Sequence, residues 1–343
     1  MGLGGKIKRI FRSVGEYFAG GAGKHSFRHM VKEVRPDAPA FWRFCRYLDL
    51  LRAELYCPGL DAMDYFLYHF EGMPRRERKS YITEGGLKKM VRHFNGTSAD
   101  PQWAAVEMKP QFNRLFADLL GREWIMNDAD EENFVSFCTG RKRIVKPAGG
   151  GQGTGIFIAE PDTEEESRGL YRSLAGESYV IEELLKQHGS LAELNPSSVN
   201  TLRIYTVADK EGKKITVTGA VLRIGRSGQA VDNWHAGGMA AEIDTEKGVV
   251  SSPAVDGKGS EYTVHPDTGV KITGFCLPSW EEAVRTVKLA HSRIKGLRYV
   301  GWDVVIGEKG EAYLLEGNLF GGVHLQQQPC RKGKKALYQA LWD

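Results

Sequence analysis

Two carboxylates and an amide in the C-terminal part of the chain, Asp303, Glu316 and Asn318, lie on apolar runs that a short turn would fold together. Gly301-Trp302-Asp303-Val304-Val305-Ile306 and Ala312-Tyr313-Leu314-Leu315-Glu316-Gly317-Asn318 have strand composition, and Gly307-Glu308-Lys309-Gly310-Glu311 between them is a hairpin signal. If Lys309-Gly310 makes the tight turn, Glu308 pairs with Glu311, and counting back sets Asp303 opposite Glu316. A four-residue loop closed by Gly307 and Ala312 leads to the same register. Opposed residues hold their Cβ atoms about 4.5–5.5 Å apart on one face, and Asn318, two residues on, shares that face. Such hard oxygens suit magnesium, which completes its octahedron with water and phosphate oxygens. The bland alternative is a solvent-facing carboxylate pair. The strands are too apolar to look exposed, and two adjacent like charges are destabilising without a cation.

A second constellation is Val145-Lys146-Pro147-Ala148 followed by five glycines within positions 149–155. Backbone N–H groups of such a loop (Gly150, Gly151, Gln152, Gly153 and Thr154 at its centre) can wrap phosphate, with Lys146 as a cation beside it. In protein kinases the nucleotide lysine follows the glycine loop; here it precedes it, and the GxxxxGK[ST] spacing of a P-loop is absent. Ser178-Tyr179-Val180-Ile181-Glu182-Glu183-Leu184-Leu185 is an apolar strand running into two carboxylates. It is either an ordinary strand end or a linker whose backbone pairs with adenine. Arg203 and Arg223 are charges inside apolar runs, costly unless each meets an anion, which is either a ligand or a structural Asp or Glu. Asn233 and His235 precede Gly237-Gly238, where a ligand can approach the backbone closely or the chain simply turns. His324 and Gln326 follow the carboxylate strand closely enough to face an acceptor.

The elements that must position these groups are of two textures. Residues 1–104 read as mainly helical and aromatic-rich, broken at Pro58-Gly59, Gly72-Met73-Pro74 and Gly85-Gly86. Beyond Asp100-Pro101 a helix over 109–120, short strands at 143–145, 156–158 and 179–181, and a helix from Asp162 are expected. Strands at 201–207, 215–223, 239–243, 300–306 and 312–316 follow, with a helix at 280–295. Residues 5–18 place Ile7, Ile10, Phe11, Val14 and Phe18 at helical spacing among Lys6, Lys8, Arg9 and Arg12: a basic amphipathic helix that packs on its own domain or rests on anionic lipid. The first 50 residues carry six excess positive charges out of a net +4, leaving the remainder slightly acidic, so a local anionic partner is expected and a nucleic-acid partner is not. Five dispersed cysteines and no run of about 18 apolar residues suggest a reduced, cytoplasmic protein.

Taken in order, the lysine and glycine loop, Ile181-Glu182-Glu183-Leu184-Leu185, and Asp303 with Glu316-Gly317-Asn318 resemble ATP-grasp enzymes. Asn200-Thr201-Leu202-Arg203, Leu222-Arg223-Ile224-Gly225, Val231-Asp232-Asn233-Trp234-His235-Ala236-Gly237-Gly238 and His265-Pro266-Asp267-Thr268-Gly269-Val270 are similar to the sugar-transfer-associated ATP-grasp family, over roughly 105–328. The resemblance implies an α/β (α+β) fold of two lobes gripping ATP, a small lobe at 105–186 and a large lobe at 187–343, preceded by the helical domain at 1–104. It implies Lys109 and Lys146 as nucleotide lysines and the glycine loop as a flap over the β- and γ-phosphates. Glu182, Glu183 and Leu185 would form the adenine hinge, and Asp303, Glu316 and Asn318 would ligate Mg2+. Many members place a ribose-binding Glu shortly after the hinge; here Gln187 and His188 stand there, making Gln187 or Glu193 the candidate.

The function expected is an ATP- and magnesium-dependent ligase that activates a carboxylate as an acyl phosphate and couples it to an amine or hydroxyl. Arg203, Arg223 and Lys146 would stabilise the transferring phosphoryl group, and Asn233, His235, Gly237, Gly238 and His324 would meet the substrates. The family likeness implies a role near surface-polysaccharide assembly, joining an amino acid to a sugar; the basic pattern of residues 5–18 separately suggests peripheral contact with the inner face of a membrane. Two alternatives are a kinase on the same nucleotide fold and a nucleotide-binding scaffold for glycosyltransferases.

Overall fold

The computed structural model describes residues 27–96, 101–149, 155–226 and 237–342. The helix expected at 5–18 lies outside them. Five helices come first: α1 (Phe27–Val34), α2 (Ala40–Glu54), α3 (Ala62–Leu67), α4 (Arg75–Arg78) and α5 (Glu84–Asn95). Their starts follow from local chemistry. Asp61 and Asp64 form a reciprocal capping box at α3, and the Thr83 hydroxyl accepts from the Gly86 N–H at α5. Helices α1 to α3 close over an aromatic core containing Phe27, Tyr47, Tyr65, Phe66 and Phe70. Helix α5 belongs elsewhere: Leu87, Met90, Val91 and Phe94 pack into the main core of the strand-rich part.

Helices α6 (Pro101–Glu107) and α7 (Lys109–Leu115) and a 3-10 turn at Ala117–Leu119 lead into a small antiparallel sheet. The single helix expected over 109–120 therefore ends at Leu115. The sheet has strand order β1 (Trp124–Met126), β4 (Tyr179–Glu183), β2 (Arg143–Pro147) and β3 (Phe157–Ala159), with α8 (Glu131–Cys138) and α9 (Glu164–Ser173) between its strands in sequence. Phe134, Cys138, Val145, Leu174 and Ile181 form its separate core.

After α10 (Gly189–Leu194) comes a larger, antiparallel sheet. It contains β5 (Thr201–Ala208), β6 (Ile215–Ile224), β7 (Met239–Asp244), β8 (Val249–Val250), β9 (Ala254–Asp256) and β10 (Glu261–Tyr262). Beyond α11 (Trp280–Ser292) it is completed by β11 (Tyr299–Ile306) and β12 (Ala312–Asn318), and the chain continues through α12 (Val323–Gln327) and α13 (Lys335–Ala340). The order is β10-β9-β7-β6-β5-β11-β12, with β8 beside β7. Strands β5 and β11 are buried at every position, which suits central strands covered on both faces by α11 and neighbouring elements.

The β11–β12 hairpin pairs Asp303 with Glu316, but by a different route from simple counting. Ile306, not Gly307, pairs with Ala312, so the loop runs from 307 to 311 and is one residue longer than the four-residue loop that counting allowed. Gly310 adopts φ +88° and the Gly307 N–H donates to the Glu311 carbonyl. A β-bulge at Leu315, where the register jumps from Val304–Leu314 to Asp303–Glu316, compensates. Gly317 is dictated by packing, since a Cβ there would stand 2.5 Å from Val106 Cγ1 of α6.

Candidate functional site

The cross-strand registers build a row. Arg203 on β5 pairs with Asp303 on β11, which pairs with Glu316 on β12. Gly301 pairs with Asn318, and Arg223 pairs with Thr201, two residues before Arg203. Alternation along each strand therefore puts Arg203, Arg223, Asp303, Glu316 and Asn318 on one face of the large sheet. They line a cleft of about 990 Å³ that is also walled by Lys146, Glu182, Glu183, Leu185 and His324.

Asp303 is only 2% exposed. Arg203 Nε bonds its Oδ1, Arg203 Nη2 donates to Oδ2 at 2.8 Å, and Arg223 Nη1 donates to Oδ2 at 3.0 Å. Both arginines thus reach a carboxylate of the site itself. Burial would raise the Asp303 carboxyl, and the two guanidiniums overcome it and bring it down to about 2. Glu316, reached from the cleft, behaves oppositely: burial, then the neighbouring Asp303 charge, hold its carboxyl above the usual range. Asn318 Nδ2 lies 3.4 Å from Glu316 Oε1.

On the opposite wall, Lys146 Nζ lies 2.6 Å from Glu182 Oε2. Glu182 also takes Arg122 Nε at 2.8 Å and Asn113 Nδ2 at 2.8 Å. Burial would push this carboxyl up, but Lys146 and Arg122 hold it well below the usual range. Its oxygens meet those partners, so the Glu182 side chain is the buried counterion of Lys146 and Arg122. Arg122 went unnoticed in the sequence although it joins the sheets: its Nη1 donates at 2.7 Å to the Leu314 carbonyl, next to the bulge. Lys109, at the start of α7, feels Glu316, Lys146 and Glu182; burial holds its ammonium below the usual range.

The hinge positions differ among themselves. Glu183 lines the cleft and pairs with Arg143 at 3.5 Å. Beyond it the strand ladder stops, and the chain pairs again at the Gln187–Gly307 bridge, where the His188 N–H donates to the Ile306 carbonyl. Gln187 is not available to a ribose: its Nε2 donates to the Asn195 and Ser198 carbonyls, and its Oε1 accepts from Asn200 N–H and Nδ2. That amide fastens the hinge to α10 and β5. Glu193 does not line the cleft. Of the remaining candidates, Gly150, Gly151, Gln152, Gly153, Thr154, Asn233 and His235 lie outside the described residues. Gly237 adopts φ +100°, Gly238 is buried, and His324 lines the cleft with its Nε2 2.8 Å from Asp64 Oδ1.

Residues 124–339 match the family described as sugar-transfer associated ATP-grasp. The chain belongs to that family. Its ATP-grasp fold accounts for the two sheets flanking one cleft, and a helical region precedes them. Solved structures with a detectable likeness include the ATP-grasp ligase PsnB with minimal precursor, Mg and ADP, at 18% identity over 78% of this chain and 68% of that one, TM-score 0.43. The ADP complex of purK, N5-carboxyaminoimidazole ribonucleotide synthetase, is 10% identical over 70% and 52%, TM-score 0.42. D-alanyl-alanine synthetase A from Vibrio cholerae is 13% identical over 64% and 56%, TM-score 0.39. No curated protein matches this ATP-grasp sequence.

Proposed function

We propose that this ATP-grasp protein is an ATP- and magnesium-dependent ligase that activates a carboxylate as an acyl phosphate and couples it to an amine. The observation that carries the reading is the row Arg203–Asp303–Glu316 on a sheet face opposite Lys146, inside a cleft of about 990 Å³, large enough for a nucleotide and a second substrate. The donor set fits magnesium. Glu316 and Asp303 are within hydrogen-bonding reach of each other, and the raised Glu316 carboxyl is a group whose charge a divalent cation would stabilise. Among the described residues no group of three or more His, Cys, Asp or Glu side chains forms a metal site, so Glu316, Asp303 and the Asn318 amide would leave most coordination to phosphate and water. When bound there by Glu316, Asp303 and Asn318, magnesium would supply neutralisation of phosphate charge.

The protein's own groups do the rest. Lys146 and Lys109 bring two ammonium groups toward the carboxylates, where phosphate would lie. Glu182 and Arg122 keep the Lys146 chain in place within the wall. Arg203, which gives Asp303 the N–H groups of Nε and Nη2, has further guanidinium donors that can hold the substrate carboxylate against the phosphoryl group, and Arg223 adds positive charge beside it. The stretch at Glu183, Leu184 and Leu185, between the end of β4 and the bridge at Gln187, lines the cleft and suits adenine. An amino-sugar acceptor and work at a membrane surface, with residues 5–18 as a basic foot, are consistent with the family's sugar-transfer association. Among the described residues no helix is long and apolar enough to cross a membrane.

The test is incubation with ATP, Mg2+ and a pool of the twenty amino acids, with hydroxylamine as nucleophile. A ligase forms ADP and an amino-acyl hydroxamate in equal amounts. ADP accompanied by a stable phosphorylated alcohol, or no turnover with any carboxylate, refutes the reading.

A further inference from the structure

The cleft has one wall that the nucleotide chemistry does not use. Asp64, fully buried, accepts at Oδ2 from the N–H groups of Asp61 (3.3 Å) and Glu84 (3.0 Å), serving the starts of α3 and α5 together. That leaves Oδ1 for His324 Nε2 at 2.8 Å. The imidazole stacks on Tyr68 with ring centroids 5.5 Å apart, and the Tyr68 hydroxyl takes a 2.8 Å bond from Gln327 Nε2. One nitrogen and one face of the ring are therefore fixed. The other nitrogen, Nδ1, bonds to no described residue and is not among the polar atoms sealed from solvent. His324 lines the same cleft as Glu316 and Asn318 and follows Asn318 by six residues.

A carboxylate on Nε2 selects the tautomer with its proton there and leaves the Nδ1 lone pair facing outward. We propose that His324 is the base that takes the proton from the acceptor amine, with Asp64 as the positioning residue that holds its tautomer. This rests on the ligase reading above. The amine lone pair forms the C–N bond to the acyl phosphate carbon. The C–O bond to the phosphoryl group breaks, its electron pair leaving on inorganic phosphate, and the N–H proton passes to Nδ1. The imidazolium so formed sits against Asp64, with Asp61 and Glu84 nearby and the neutral Tyr68 phenol beneath. Burial opposes that charge, and Asp64 outweighs it, holding the imidazole above its usual range. The same contacts would equally well describe a lock between the helical region and the cleft, so the test must separate catalysis from folding.

Hydroxylamine is uncharged at neutral pH and attacks acyl phosphates readily, giving its proton to water, whereas an amine that is largely protonated must first be freed of a proton before it can attack. The full-length protein is supplied with ATP, Mg2+ and the amino-acid pool, with either hydroxylamine or glucosamine added, and products are weighed by mass spectrometry. His324→Gln, which still donates to Asp64, should form hydroxamate within about threefold of the wild type. It should lose about 100-fold in amide formation, the usual contribution of a positioned base. Asp64→Asn should move the acidic limb of the wild-type amide profile to lower pH, because the imidazolium loses its counter-charge. Equal loss of both products in His324→Gln, or loss of neither, overturns the proposal. Wild-type hydroxamate without any amide removes the amine-directed base alone; no hydroxamate removes the ligase reading beneath it.

Discussion

Glu316 shows most directly how one side chain can be costly in one state and useful in another. Glu316 keeps surface open to the cleft, and its withdrawal from bulk water there, with Asp303 beside it, raises its carboxyl, so its ionised form is somewhat less favourable in the folded chain than in the unfolded one. Its contribution to stability is present below the unfolded value near about 4.3 and is lost as pH rises through the raised folded value. At pH 7 without magnesium, Glu316→Gln should therefore melt roughly 1–3 °C above the wild type. Adding Mg2+ with ADP should raise the wild-type melting temperature and leave that of the variant almost unmoved. Hydroxamate formation should fall at least about 100-fold. A folded variant that turns over ATP normally would remove Glu316 from the site. Asp303 differs because Arg203 and Arg223 already neutralise it. This division of labour between two paired carboxylates could not be read from their spacing, which treats them alike.

At the scale of elements, the hairpin illustrates how local signals and packing share control. The apolar runs and the glycine-rich turn were sufficient to place a hairpin, and Asp303 comes opposite Glu316 because the bulge offsets a loop one residue longer than counting gave. The longer loop and the bulge at Leu315 were not legible, because the Leu314 carbonyl that Arg122 grips beside the bulge has a partner 192 residues away. Gly317 belongs to this element too. Gly317→Ala would drive a Cβ to 2.5 Å from Val106 Cγ1 and 3.4 Å from Phe112 Cε2, pressing β12 away from α6 and α7. Overpacking of this kind costs about 1–3 kcal/mol. A denaturant midpoint equal to that of the wild type would show that the α6–β12 contact is looser than described.

On the scale of the whole molecule, the boundary expected at residue 104 cuts through packed structure. Leu87, Met90, Val91 and Phe94 of α5 share the main core with β5 and β11, and Asn95 Nδ2 donates to the Tyr299 carbonyl at 2.7 Å. A chain of residues 105–343 should therefore lack a cooperative thermal transition, whereas residues 27–343 should melt like the full chain. The shorter loss has a separate consequence: if 5–18 is a basic foot, full-length protein should sediment with anionic vesicles, less at high salt, and residues 27–343 should not. A cooperative melt from 105–343 would restore the helical part to independence, and equal sedimentation of the two longer chains would return 5–18 to a structural role.

The amino-acid sequence by itself determined most of the strands, though not β1 or β8 to β10, together with the order of lysine, glycine loop, hinge and carboxylates. These follow from period-2 alternation, turn residues and spacing, all of which act between near neighbours in the chain. Only the tertiary structure decided who neutralises whom. Glu182 meets Arg122 across 60 residues, Arg203 meets Asp303 across 100, and His324 meets Asp64 across 260. A buried charge must find a counter-charge, but the requirement is set by desolvation, which does not depend on sequence distance and leaves no mark in the pattern around either residue.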